Sequence, residues 1–367
     1  MRIALIHSRY QRQGGAETYF LNLVAKFAAA GHHIDIYIYK YDKQLFVPDN
    51  VKIRLYYRPG LPRILKKWHF AHWVYKQLKK HQYDITLSNT HTIGQQLLVC
   101  GGCHVSYLER LQKRSSLKNY IRIALERRAY QSSECIIAHS KQVASELIEY
   151  FPEFKHKVAT LYPPCDLNVF KRVSRNKRAD FKNQFGMSSQ HINLVFPSSG
   201  NKKMKGHYLL LEAMELLETN RYTLFLAGLN EQPNRSNVRA LGFVKDMSAL
   251  FSAADLLILP SYYEAFGLVV VEALACGTPV VVSKYVGSSE LITDKEGIIY
   301  QQQSPQILAE AIEEATKKKF DITEYFVQKN QLTIDQHITA LKALGASVTD
   351  APAVRHGRPK AEADSPR

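Results

Sequence analysis

Residues Leu256 to Glu290 read LLILPSYYEAFGLVVVEALACGTPVVVSKYVGSSE. The apolar run from Leu256 to Leu259 meets Pro260 and Ser261, so a buried strand stops there and gives way to a loop that carries Glu264. From Gly267 onward Leu268, Val271, Leu274 and Ala275 recur at helical spacing, which puts Ala265, Phe266 and Gly267 at a helix start with outward-facing N–H groups. Such a terminus receives phosphate. Gly267 lets a ligand approach the backbone, and Glu272, in the second turn, meets the same ligand from the side. Gly277 and Pro279 end the helix, and Val280 to Val282 form the next strand. Two glutamates at this spacing, taken alone, fit an ordinary crossover with two surface carboxylates. With a glycine-opened helix between them they suit a sugar nucleotide: one carboxylate for sugar hydroxyls, one for ribose hydroxyls, and N–H groups for the diphosphate.

Glu264-Ala-Phe-Gly-Leu268 and Glu272-Ala-Leu-Ala-Cys-Gly-Thr-Pro-Val280 resemble the signature of the retaining glycosyltransferases of family 4. The resemblance implies an α/β chain of the GT-B fold, with two Rossmann-like domains, a deep cleft between them and a C-terminal helix crossing back. Its expected boundaries are an acceptor domain at 1–165, a nucleotide-sugar domain at 166–335 and a crossover helix at 336–345. Residues 346–367, rich in Ala, Pro and charge, read as a disordered tail.

Length and composition agree with two domains of ordinary size: 367 residues, 46% of them apolar, are enough for two cores. No apolar run reaches bilayer-spanning length, and Met1 to His7 is too brief for a signal peptide and reads as a first strand, which gives a cytoplasmic expectation. Five cysteines fit reduced core thiols better than a disulfide framework, and the single CxxC at Cys100 and Cys103 has no second pair to hold a metal.

The net charge of +16 is lopsided. Residues 1–165 hold 25 Lys and Arg against 11 Asp and Glu, whereas the remainder holds 24 against 22. From Leu61 to Leu78 the apolar residues Ile64, Leu65, Trp68, Ala71 and Tyr75 recur at helical spacing among lysines, a basic amphipathic helix that suits a solvated face or an anionic bilayer. A second basic run includes Arg110, Lys113, Arg114, Lys118 and Arg122, relieved only by Glu126. It follows Ser106-Tyr-Leu-Glu-Arg110, a region similar to the acceptor side of lipopolysaccharide core glucosyltransferases, and it points to an anionic glycolipid acceptor.

The resemblance assigns further residues to the site. Gly14 and Gly15, after the first strand, line the cleft; His104, expected at a strand end, stands beside the leaving phosphate and the acceptor. Lys205, before a helix that begins near His207, carries diphosphate charge together with the helix N-terminus, Glu264 holds sugar hydroxyls, and Glu272 holds the ribose. The family's arginine before the Lys-Gly pair is missing here, and Lys202 or Lys203 takes its place. Gly242, Phe243 and Val244 contact the base through their backbone, with core packing an equal account of Phe243; Ala265, Phe266, Gly267 and Leu268 complete the donor site. Gly287 to Glu290 read as a second helix start facing the cleft.

The expected activity is transfer of a sugar with retention, from UDP-glucose or a related UDP-sugar to a cell-envelope glycolipid such as lipopolysaccharide core, on the inner face of the cytoplasmic membrane. A lipid carrier of capsular or exopolysaccharide synthesis suits the same charge, and a sugar-nucleotide epimerase or a phosphorylase suits the same architecture. No cofactor or metal is expected, because lysine charge and the helix dipole supply positive potential and the cleft loops hold no paired aspartates. Nucleic acid is not an expected partner, since no module motif accompanies the basic runs.

Overall fold

The computed structural model describes residues 1–349 apart from 13, 115, 198, 199, 231 and 233. The tail expected at 346–367 falls mostly on 350–367, outside the described residues.

Two parallel sheets organise the chain. In the first, β1 (Arg2–Ile6), β2 (His33–Ile38), β3 (Val51–Leu55), β4 (Ile85–Ser88), β5 (Leu97–Cys100), β6 (Cys135–Ala138) and β7 (Val158–Thr160) run in the order β3-β2-β1-β4-β5-β6-β7. In the second, β8 (Ile192–Pro197), β9 (Tyr222–Ala227), β10 (Val238–Gly242), β11 (Leu256–Leu259), β12 (Val280–Ser283) and β13 (Gly297–Tyr300) run in the order β10-β9-β8-β11-β12-β13. Both sheets are wound one way and then the other from their first strand. The direction reverses between β1 and β4 in one and between β8 and β11 in the other, and such switch points are where open α/β sheets bind ligands.

Short apolar strands form these sheets because both faces are covered. In β1, Ile3 and Leu5 join the core on one face while Ala4 and Ile6 join that on the other, the two-residue alternation of a pleated strand. The second sheet has one large core around Leu257, Ile258, Val281 and Val282.

Helices α1 (Gly15–Ala29), α2 (Arg63–Leu78), α3 (His104–Arg110), α4 (Leu117–Ser132) and α5 (Lys141–Tyr150) belong to the first domain. The apolar runs Leu97 to Cys103 and Val238 to Val244 predict strands, and these end earlier, at Cys100 and Gly242. The polar stretch after 165 contains an unforeseen helix, Arg175–Phe185, started by the Ser174 side chain, which accepts from the Lys177 N–H, and stopped by Gly186 in the left-handed region.

Helical spacing over 321–344 predicts one helix there, and the structure breaks it. One turn, Phe326–Lys329, is followed by Gln331 at φ +57° and a new helix, Ile334–Thr349, longer at both ends than the expected 336–345. The break has a cause: the Cys165 N–H donates to the Leu332 carbonyl (2.8 Å), and a backbone conformation that meets the linker there cannot stay helical. The last helix does cross back. Its Ile338 and Leu341 enter the core of the first domain, and its His337 is held between the Tyr19 hydroxyl (2.8 Å) and the Tyr162 carbonyl (2.9 Å). No helix among the described residues is long and apolar enough to cross a membrane.

Candidate active site

The loops after β8 and β11 meet at the switch point of the second sheet. The Tyr262 N–H donates to the Met204 carbonyl (2.8 Å), and Gly206, at φ +74°, lies so close to the other loop that a Cβ there would stand 2.0 Å from the Pro260 carbonyl oxygen. Only glycine fits, and this contact sets where Lys205 sits. Its ammonium pairs with the Glu264 carboxylate, both side chains being less than a fifth exposed. Lys203 is exposed and Lys202 half-buried.

Helix α6 (Leu268–Ala275) begins at Gly267, φ +84°. Among the described residues the N–H groups of Phe266, Gly267, Leu268 and Val269 have no acceptor, so an eight-residue helix presents an open N-terminus beside the Lys205–Glu264 pair. In its second turn Glu272 has no side-chain partner, and desolvation pushes its carboxyl up to about 7. The expected second helix start behaves otherwise. Gly287–Leu291 is a 3-10 turn whose Gly287 and Ser288 N–H groups donate to the Glu264 and Phe266 carbonyls (2.9 and 2.7 Å). These amides brace the donor loop, so they do not face a ligand.

Across the cleft, His104 opens α3. Its ring stacks on Tyr107 (centroids 5.6 Å apart), its Nε2 lies 3.2 Å from the Asn119 side-chain oxygen, and desolvation followed by the Arg122 charge lowers its pKa. A cavity of about 320 Å³ between the domains has His104, Glu264 and Ala265 in its wall, so residues separated by the whole linker share one space. The other predicted site residues, Gly14, Gly15, Lys202, Lys203, Lys205, Gly242 to Val244, Phe266 to Leu268 and Glu272, are not in that wall. Gly14 instead precedes α1 with extended backbone, and Gly15 is the first helical residue. Phe243 is 84% exposed, which corrects the core-packing account of it.

No local pattern marks the clasp that holds the cleft shut at one end. The Tyr263 hydroxyl donates to Glu146 (3.0 Å) and accepts from the Cys103 N–H (2.8 Å), while the Ser140 hydroxyl donates to the Ala265 carbonyl (2.8 Å). Glu126 was also missed as a cavity residue. Its burial comes from the packing of α4, which a basic run does not reveal.

Comparison with known proteins agrees with this geometry. Residues 178–332 match the family model of glycosyl transferases group 1, and residues 13–169 match that of glycosyltransferase family 4. A probable transglycosylase of Burkholderia thailandensis is 28% identical over 87% of each chain. The lipopolysaccharide glucosyltransferase WaaG of Escherichia coli is 26% identical over 80% of this chain and 83% of its own. A crystal structure of WaaG superposes with a TM-score of 0.75 at 21% identity, covering 96% of both chains, and Anabaena HepE in complex with UDP-glucose does so at 0.70 and 18%, covering 95% and 99%. The chain is a glycosyltransferase of the GT-B fold, similar to those of lipopolysaccharide core synthesis.

Proposed function

We propose that this GT-B glycosyltransferase moves a sugar, with retention, from a UDP-sugar such as UDP-glucose to an anionic cell-envelope glycolipid. One observation carries the reading: Glu264, paired with Lys205 and just before the open amides of α6, shares the wall of a single interdomain cavity with His104. The name of the Escherichia coli relative and the ligand of the Anabaena neighbour support the choice of glucose and UDP.

In the transfer, the bond from the anomeric carbon to the β-phosphate oxygen breaks. A new bond forms to an acceptor oxygen on the same face, and the acceptor's proton leaves on the diphosphate. Charge builds on that diphosphate. The Lys205 ammonium and the Phe266 to Val269 amides stand where they stabilise it without reorganising, the electrostatic contribution that usually dominates such steps. Glu264 then orients sugar hydroxyls, and Glu272 takes the ribose. His104, kept neutral near pH 7 by its lowered pKa, accepts from a sugar hydroxyl.

Peripheral docking on an anionic membrane completes the reading. Leu65 of α2 and Leu117 and Tyr120 of α4 are exposed among the basic residues of those helices, a mixed apolar and cationic surface suited to a headgroup layer.

The test is transfer from UDP-glucose to purified lipopolysaccharide core acceptors, with NMR of the new anomeric centre and a thermal shift with UDP. A retained configuration, a raised melting point and activity in EDTA are expected. Conversion of the UDP-sugar to its epimer without acceptor would overturn the reading.

A further inference from the structure

The cavity wall also holds Lys67 of α2 and Arg122 of α4, which the transfer chemistry above leaves unused. The two helices pack against each other. Among the described residues neither side chain forms an ion pair, although the Arg122 charge acts on the buried Glu126 carboxyl. Lys67 is exposed as a residue, yet its ammonium is held below its ordinary range, first by desolvation and then by the charges of Arg122, Arg9 and Lys118. The same two cations act on His91, pushed down to about 4 mainly by burial, and on His104.

Like charges gathered at a cavity without an ion-pair partner make it a place where an anion is stabilised on entry. A second observation points to a ligand. Glu126, fully buried in the same wall, accepts with Oε1 from the Tyr130 hydroxyl (2.8 Å) and the His104 N–H (3.2 Å), whereas its Oε2 has no partner. A buried polar atom left unpaired is costly unless something polar arrives to meet it. The wall thus offers cations for a phosphate and a carboxyl oxygen for a hydroxyl, and the space between suits a phosphorylated sugar.

We propose that Lys67 and Arg122 form an anion subsite that selects an acceptor sugar carrying a phosphate monoester. This deepens the proposed function and rests on it, because it takes the first-domain side of the cavity as the acceptor side. Arg122 offers paired N–H donors to two phosphate oxygens, and Lys67 adds a point charge.

The experiment titrates the full chain, saturated with UDP, with glucose 6-phosphate, glucose and inorganic phosphate by calorimetry. Glucose 6-phosphate is expected to bind roughly tenfold or more tightly than glucose, with inorganic phosphate competing. The double variant Lys67→Gln/Arg122→Gln is expected to erase that difference and keep wild-type affinity for UDP. Both residues are exposed, so the variant folds. Equal binding of the two sugars by the wild type, or a preference that survives in the variant, would overturn the subsite. Failure of the wild type to bind UDP would instead remove the donor reading, so the two failures are distinct. A second arm uses phosphatidylglycerol vesicles. If the variant loses vesicle binding while the wild type does not distinguish the two sugars, these cations serve a lipid surface and the acceptor subsite is wrong.

Discussion

Both domains place their working loops after the strands that flank the switch in their sheets, yet they treat charge in opposite ways. In the second domain Lys205 is paired with Glu264, and the two loops that carry them touch through Gly206, with no space for a Cβ. In the first domain His91 follows β4, and among the described residues Lys67 and Arg122 stand nearby without an ion pair, the buried Glu126 being that domain's one carboxyl in the same wall. One side is organised before its ligand arrives, and the other is completed by it. Preorganisation belongs where charge develops during the reaction, because donors already in place cost nothing to arrange at that moment. The side that only recognises a ligand can leave its charges open.

The largest expected effect tests the preorganised side. Lys205→Ala is expected to lower kcat by roughly 10²–10³, about 3–4 kcal/mol of transition-state stabilisation, because in the proposed transfer it removes a cation that carries diphosphate charge. Steady-state rates with saturating donor measure it. A variant as active as the wild type would break the contrast between the halves.

The second effect concerns the helix that ties the halves together. His337 is buried, and desolvation lowers its pKa to about 4. The fold therefore refuses a proton that the unfolded chain accepts, so stability is lost as pH falls from about 6.5 toward about 4, by up to about 3 kcal/mol in all. Glu126 and Glu272, raised to about 7, have the opposite sign: the fold keeps protons that the unfolded chain releases, and that stability is lost as pH rises from about 4.5 to about 7. Comparing His337→Gln with the wild type by urea unfolding cancels the glutamates. The difference between the two proteins is expected to shrink as the pH is lowered, and a constant difference would show that His337 is not held neutral.

How much of this was legible in the sequence differs between the halves for the same reason. The donor loop and its helix lie within a few residues of one another, so strand, glycine and helix spacing reveal them in one stretch. Lys205 and Glu264 are each visible, but their pairing depends on two strands becoming neighbours, which no local pattern records. The first-domain site is assembled from α2, α4 and the loops after β4 and β5, and only packing shows that Glu126 is buried while Lys67 and Arg122 share its cavity. The break near Gln331 was hidden as well, since helical spacing runs through it and the deciding contact comes from Cys165.

A smaller effect probes the clasp between the domains. Tyr263→Phe leaves the buried Cys103 N–H without its acceptor and one oxygen of Glu146, Oε2, without its donor, at a cost of about 1–3 kcal/mol. Urea unfolding measures it. No loss of stability would mean that the clasp does not couple the two domains.

The smallest effect sharpens the account of the donor side. The resemblance gave the base contact to the backbone of Gly242, Phe243 and Val244, but the Gly242 N–H already donates to the Leu229 carbonyl (2.8 Å) and its carbonyl accepts from the Gly228 N–H (2.7 Å). On the proposed reading, that leaves the backbone of Phe243 and Val244 for the base. Val244 packs on the core of the second domain, whereas the Phe243 ring is almost wholly exposed. An exposed ring that fixes nothing has little to lose, so Phe243→Ser is expected to change stability by less than about 0.5 kcal/mol. If the backbone alone meets the base, UDP affinity also stays within about threefold of wild type, since one hydrogen-bond-sized contribution already exceeds that. A tenfold loss of UDP binding at unchanged stability would show the ring stacking on the base, and side-chain recognition would then extend to the half that otherwise relies on fixed backbone.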